Sequence, residues 1–202
     1  MKRLTLLRSL LVFILLLFGC GKTDKNGEGY SKIVDGDTFI TERGIEVRLI
    51  GIDTPETGER YSIEAAKMLK RLLDTGQVKL EYDIQRFDKY GRTLAYVHAG
   101  SLMVNKALLD SGMAVAYFHE PNLKYFNQFV QAQHNSRISG LNIWSLPPVS
   151  LCEFYFSTKN SFRFHRPDCP SVRNRDVSSL RKFSSRGDAL DAGLSPCRNC
   201  KP

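Results

Sequence analysis

Residues 46–57 read Glu-Val-Arg-Leu-Ile-Gly-Ile-Asp-Thr-Pro-Glu-Thr, an apolar strand that passes through one glycine and runs into a tight Asp53-Thr54-Pro55-Glu56 turn. Strict strand alternation puts Arg48 and Asp53 on opposite faces. If both serve one site, the chain must bend or bulge between them, and Gly51 is the residue suited to it.

Upstream, Val34-Asp35-Gly36-Asp37-Thr38 sets two acids around a glycine where two strand-like segments meet. Asp-Gly is first of all a turn signal. Downstream, Asp88-Lys89-Tyr90-Gly91-Arg92-Thr93-Leu94-Ala95-Tyr96 leads from a polar turn into another strand, and taken alone it reads as a charged hairpin tip.

Around these motifs, Lys32–Val34, Thr38–Thr41, Glu46–Ile50, Val78–Tyr82 and Thr93–Val97 are the β-branched runs, separated by Gly- and Asp-containing turns. Five strands predict a small barrel. Three helices are expected: Ser62–Leu73 with Ile63, Ala66, Leu69 and Leu73 on one stripe, Val104–Ser111, and Leu123–Ser139 with Phe126, Phe129 and Val130 spaced three and four apart. Pro147-Pro148 then breaks the chain, and a second small unit rich in Ser, Arg, Phe and Cys begins.

The 202 residues are 42% hydrophobic and 25% charged, with no internal repeat or long biased tract, which is the composition of a globular protein with room for one domain and an appendage. Lys and Arg number 29 against 21 Asp and Glu, a net charge of +8 that favours polyanionic partners. Lys2, Arg3 and Arg8 lie in the first eight residues, and without these three the balance falls from +8 to +5. Those residues, the apolar run Leu10–Phe18 and the small Gly19-Cys20 pair read as an export signal too short to span a membrane comfortably. Leu17-Phe18-Gly19-Cys20 resembles a bacterial lipobox, which implies a signal peptide over 1–19, a lipidated Cys20 and a polar, glycine-containing tether over 20–29.

The chemistry open to the acid and arginine motifs is phosphoryl transfer. A hard cation such as calcium takes oxygen ligands, and Asp37, Asp53 and the Thr54 carbonyl offer a partial cage. Glu56, three residues beyond Asp53, is placed to take a proton from an attacking water. Arg48 and Arg92 can clamp a phosphate with the planar fork of a guanidinium, which lysine cannot copy.

The ordered set of Val34–Thr38, Arg48–Thr57 and Asp88–Tyr96, with Met103-Val104-Asn105 and Leu141-Asn142-Ile143-Trp144 further on, closely resembles the staphylococcal nuclease family over about residues 30–144. The resemblance implies an α+β chain built on a five-stranded OB-fold β-barrel with three helices. It also implies calcium on Asp37, Asp53 and Thr54, support of that site by Asp35, Glu56 as or orienting the general base, and Arg48 and Arg92 on the scissile phosphate. Lys89 and Tyr117 match family positions near the terminal phosphate and the base, and Tyr90 beside Lys89 joins them as a substrate-binding candidate. His119 departs from the family pattern, where a second tyrosine commonly stands. The implied activity is hydrolysis of DNA and RNA, single-stranded substrate preferred, to products with 3′-phosphate ends.

Beyond Cys20 there are four cysteines, Cys152, Cys169, Cys197 and Cys200. His165-x3-Cys169 followed by Cys197-x2-Cys200 suits tetrahedral zinc, whereas export into oxidising surroundings suits two disulfides in one of three pairings. Phe164–Cys169 with Pro196–Pro202 resembles the small zinc module at the start of the Ada DNA-repair protein, with His165 in the place of a cysteine, and this implies zinc on His165, Cys169, Cys197 and Cys200. The expected organisation is therefore a nuclease-like domain over 30–148 and a small α+β zinc module over 149–202, whose arginines and lysine can hold nucleic acid. The expected protein is an extracytoplasmic, membrane-anchored lipoprotein of the periplasm, outer membrane or cell surface, with no protein partner. Two alternatives compete: a catalytically weak nucleic-acid-binding lipoprotein on the same fold, and a zinc-dependent redox or structural protein.

Overall fold

A computed structural model describes residues 29–148 and 151–202; the export signal, Cys20 and the tether up to residue 28 lie outside the described residues. Strands β1 (Tyr30–Ile33), β2 (Thr38–Thr41) and β3 (Glu46–Leu49) form an antiparallel meander. After β3 the chain turns at Ile50-Gly51, and β4 (Ile52–Asp53) leaves the sheet. Helix α1 (Ser62–Leu73) leads to β5 (Val78–Glu81), β6 (Thr93–Ala99) and β7 (Leu102–Met103), followed by α2 (Val104–Asp110), β8 (Val115–Ala116) and α3 (Phe126–Ile138).

The main sheet runs β1-β2-β3-β6-β5 with β7 on β6, and its only parallel ladder joins β3 to β6. Among the described residues the five expected strands are present as β1, β2, β3, β5 and β6, the short β7 makes a sixth in the sheet, and β4 and β8 pair with each other separately. Two-residue strands such as β4, β7 and β8 are too short to show a period of two in sequence. The architecture is α+β, with Phe39, Val47, Leu49, Tyr96, Leu69, Leu108 and Phe129 all buried between sheet and helices.

The bend after β3 is fixed from three sides. Gly51 has φ +77°, and a Cβ there would stand 2.8 Å from the Phe129 ring. Asn105, fully buried on α2, donates to the Ile50 carbonyl at 2.9 Å and accepts from the Val97 N–H at 2.8 Å. Tyr117 donates its N–H to the Gly51 carbonyl at 2.9 Å.

Helix α1 buries Ala65, Leu69, Leu72 and Leu73 and leaves Ile63 65% exposed, so the expected Ile63–Ala66 stripe is displaced by about one residue. The partner selects the face. The loop carrying the two acids lies so close to the helix that a Cβ on Gly36 would approach Ala65 Cβ to 2.7 Å and Thr54 Oγ1 to 2.6 Å.

After the 3₁₀ turn Asn142–Ser145, the C-terminal segment pairs β9 (Tyr155–Thr158) with β11 (Leu180–Phe183), and β10 (Arg163–Phe164) with β12 (Ser195–Pro196), around α4 (Arg186–Asp191). Its core of Tyr155, Phe164, Ala189, Leu190 and Leu194 is covered in part by Trp144. The segment docks on α3: Phe162 meets Phe118 and Phe126 at 6.0 and 6.2 Å, Arg137 pairs with Asp191 at 2.7 Å, and buried Gln133 joins the Ala116 N–H at 2.7 Å to the Leu190 carbonyl at 3.3 Å.

An alanine at position 51 must take up a left-handed conformation and also push the Phe129 ring aside. Gly51→Ala is expected to lower the unfolding free energy by about 2–4 kcal/mol, read from chemical denaturation. A loss below about 0.5 kcal/mol would mean that the bend is not fixed by this residue.

Candidate active site and metal centre

Asp37 sits at the end of the β1–β2 turn and Asp53 at the end of β4, both buried. Asp35 accepts the Asp37 N–H at 3.0 Å and so shapes the loop that presents Asp37. Asp37 Oδ2 takes the Thr54 N–H and hydroxyl at 2.9 and 3.1 Å, which ties the two acid loops together. Its Oδ1 takes the Thr38 hydroxyl at 3.1 Å and Arg48 Nε at 3.0 Å. Two of these four donors are hydroxyls, whose protons can rotate away, so Asp37 retains a lone pair for a cation.

Arg48 spans both acids, with Nε on Asp37 and Nη2 3.2 Å from Asp53 Oδ1, while Nη1 donates to the Leu49 carbonyl. The bend at Gly51 makes this possible, because it brings back to one side two residues that an unbroken strand would hold apart. Arg92 is held by Asp88, which takes its Nε at 2.7 Å and its backbone N–H at 3.0 Å.

Asp35, Asp37, Arg48, Asp53, Thr54 and Glu56 line one cleft of about 340 Å³, together with Lys89, Tyr90, Arg92 and Tyr117. Every residue expected at a nuclease centre thus borders the same space. The cleft continues past Tyr117 and His119 toward Asn122, where a second cavity shares Arg48, Lys89, Tyr90 and Arg92. Lys89 lies 4.9 Å from the ring centre of Tyr90, which is largely exposed.

Two further residues of the cleft were not legible as such in the sequence. Arg198 bonds Asp53 through Nη2 at 2.5 Å and Nε at 3.3 Å, and pairs with Glu56 through Nη1. Arg163 stacks over the Tyr117 ring at 4.2 Å and approaches Asp53 to 3.9 Å. Both belong to the C-terminal segment, and nothing local in the sequence announces that it folds back onto the Asp53–Glu59 turn.

Burial pushes the Asp53 carboxyl above the ordinary carboxylate range, against the attraction of Arg48 and Arg198 and with the repulsion of Asp37. Asp35 is raised as well, first by burial and then by Asp37. A carboxyl raised on folding favours the folded state while it is neutral. That contribution is complete below the unfolded value of about 3.9 and is lost as pH rises through the folded value.

The other cluster is His165, Cys169, Cys197 and Cys200, all buried, with one ligand atom of each within 4.8 Å of the others. Among the described residues it is the one group of three or more such side chains gathered for a metal. Cys152 packs elsewhere, against the Tyr155–Leu194 core. Burial and the charges of Arg163 and Arg175 hold His165 toward its neutral form, the form that ligates. Burial and neighbouring thiols push Cys200 up to about 12, whereas at Cys169 burial is outweighed by hydrogen bonds from Ser171 and the other thiols, and the value falls. Three thiols and an imidazole in a dry shell are a donor set that fits zinc.

A mixed sheet with packed helices, carrying acids and arginines in one cleft, defines an α+β protein with a lining suited to a phosphate group and a cation. The comparisons with known proteins are more specific. Residues 46–146 match the family described as staphylococcal nuclease homologue. The chain is 41% identical over 136 residues to the thermonuclease of Staphylococcus hyicus, covering 62% of this chain and 80% of that protein. It is 43% identical over 138 residues to the thermonuclease of Staphylococcus intermedius, covering 63% and 82%. An SPbeta prophage-derived endonuclease, YokF, of Bacillus subtilis is 42% identical over 125 residues, covering 56% and 42%. The chain belongs to the staphylococcal nuclease family, with its OB-type α+β fold, and the nuclease relatives support a phosphodiester-hydrolysing enzyme. The family match ends at residue 146, before Arg163 and Arg198.

Because the ionised Asp53 opposes folding, Asp53→Asn is expected to keep or raise the melting temperature near neutral pH in buffer without added calcium. The gain should shrink as pH falls through the raised folded value toward the unfolded one. A lower melting temperature at neutral pH would show that the Arg48 and Arg198 pairs outweigh the burial of the charge.

Proposed function

We propose that this protein is a calcium-dependent endonuclease that hydrolyses DNA and RNA, single strands preferred, to products with 3′-phosphate ends. The observation that carries the reading is the Arg48 guanidinium set between buried Asp37 and Asp53 in the cleft that also holds Glu56 and Arg92.

Asp37, Asp53 and the Thr54 carbonyl are the oxygen donors that would hold calcium, a set suited to a hard cation. Calcium held by these donors would offset negative charge at the phosphate undergoing attack. Arg48 and Arg92 grip the phosphate oxygens. Asp88 engages the Nε edge of Arg92 and steadies the side chain, so its terminal nitrogens serve the substrate. Glu56, on the exposed side of the turn, accepts the proton of the attacking water. The water oxygen bonds to phosphorus as the bond to the 5′ oxygen breaks, and the departing oxygen takes up a proton from solvent, leaving a 5′ hydroxyl on one product and a 3′ phosphate on the other. Tyr90, Tyr117 and Lys89 line the adjoining cavity, and their aromatic faces and cation are suited to bases and a neighbouring phosphate.

We also propose zinc at His165, Cys169, Cys197 and Cys200 as the staple of the small C-terminal unit, and an extracytoplasmic location through lipidation at Cys20. The thin core of that unit is the support for the staple.

With calcium, wild type should cut denatured DNA, and a chelator should abolish cutting. Glu56→Gln should lower kcat about 10²–10⁴-fold and Arg92→Ala by about 10² or more. Undiminished cutting by both variants would remove these residues from the chemistry, and shifted DNA mobility without cutting would favour a binding module.

Metal analysis should find one zinc per chain, with thiols titrating only after denaturation or chelation apart from Cys152. Zinc-free protein with no titratable thiols would instead establish disulfides.

A further inference from the structure

The cleft as lined by the family domain alone is unbalanced for a polyanion. Arg48, Lys89 and Arg92 face Asp35, Asp37, Asp53 and Glu56, three cations against four acids. Arg163 and Arg198 raise the cations to five, and both come from the C-terminal segment.

They are held there by specific contacts. Arg198 lies inside the Cys197-x2-Cys200 knuckle and pairs with Asp53 and Glu56, while Lys201, just beyond it, pairs with Glu59 at 3.1 Å. The knuckle thus clasps the Asp53–Glu59 turn from outside. Arg163 is braced by the Pro196 carbonyl at 2.8 Å, and its guanidinium carbon lies 4.2 Å from the centre of the Tyr117 ring. From Asp53 and Glu56 a further cavity of about 630 Å³ runs between the domain and the segment, bounded by Arg198, Lys201, Arg60 and Trp144. The groove therefore continues on the module side of the acids, and Arg198 stands where the two spaces meet.

We propose that the Cys/His module forms one wall of the substrate groove and that Arg198, assisted by Arg163, binds the phosphate chain next to the phosphate held by Arg48 and Arg92. The assignment rests on the nuclease reading above. A guanidinium fits a phosphate with the same two-pronged geometry it uses for a carboxylate. The side chains of Arg198 and Glu56 are 50% and 53% exposed, and ion pairs open to solvent are weak, so the Glu56 contact is one an entering phosphate can replace, while the pair with Asp53, only 8% exposed, keeps the guanidinium at the edge of the cleft. A latch that shut the cleft would need burial that this arginine lacks.

The test uses the full chain as wild type, Arg198→Ala, Arg198→Lys and, as a control at an exposed basic residue that does not line the groove, Arg181→Ala. Two quantities are read: KM and kcat on denatured DNA with calcium, and anisotropy of a fluorescein-labelled single-stranded oligodeoxynucleotide across a salt series without added calcium. Arg198→Ala should raise KM about tenfold with little change in kcat, and lower the magnitude of the log–log salt slope of binding by about 0.7. Arg198→Lys should restore the slope, and Arg181→Ala should leave both readouts alone. An unchanged KM and slope in Arg198→Ala would overturn the proposal, as would a rise in kcat/KM, which identifies a latch, or an equal loss in Arg181→Ala, which identifies diffuse charge. Wild type that binds but never cuts would defeat the nuclease reading, and the salt slope would still decide the role of Arg198.

Discussion

Asp37 and Asp53 are two buried carboxylates that repel each other, and Arg48 is the group that lets them share a site. Much of the structure follows from placing that one guanidinium. Its Cα belongs to β3, whose ladders to β2 and β6 fix the backbone, so the side chain leaves a rigid base. Asp53 must then be brought round to it, which Gly51 does by turning through a conformation closed to other residues at modest cost.

The bend is in turn held by polar groups in the core. Asn105 satisfies the Ile50 carbonyl and the Val97 N–H, and Gln133 satisfies the Ala116 N–H where β8 meets β4. An unpaired amide at either place would carry a desolvation cost of about 1–3 kcal/mol, so these two side chains specify the turn rather than merely filling space. Gln133 also reaches the Leu190 carbonyl, and the same network that shapes the acid loops thereby seats the C-terminal segment.

What the sequence made legible was what short-range chemistry encodes. The strands β2 and β3, helix α1 and the four metal-ligand candidates of the C-terminal unit are all found within a residue or two of where spacing puts them. Once Arg48 and Asp53 are taken to serve one site, strand alternation requires a bend near Gly51, and the positive φ meets it. The buried face of α1 did not follow, because Ile63 and Ala65 both belong to apolar helical patterns and only the distant Gly36 loop selects between them. The same holds for Arg163 and Arg198: their basic character was plain, but their place in the cleft depends on docking that no local pattern carries.

That docking bears on how a small, thin-cored unit can position charge. A free arginine side chain carries about 2 kcal/mol of rotamer entropy, part of which is lost when it grips a ligand. Its backbone lies in a four-residue knuckle between buried Cys197 and Cys200, and its neighbour Lys201 pairs with Glu59 on the facing turn. The remaining freedom lies in the side chain itself, which is half exposed and faces the groove. A loop without such anchoring would sample many positions, and the charge it delivered would be spread over all of them. The segment's small cores, Tyr155 to Leu194 and Phe156 to Cys200, carry this placement, and they bring two arginines to the border of a cleft whose own lining holds four acids and three cations.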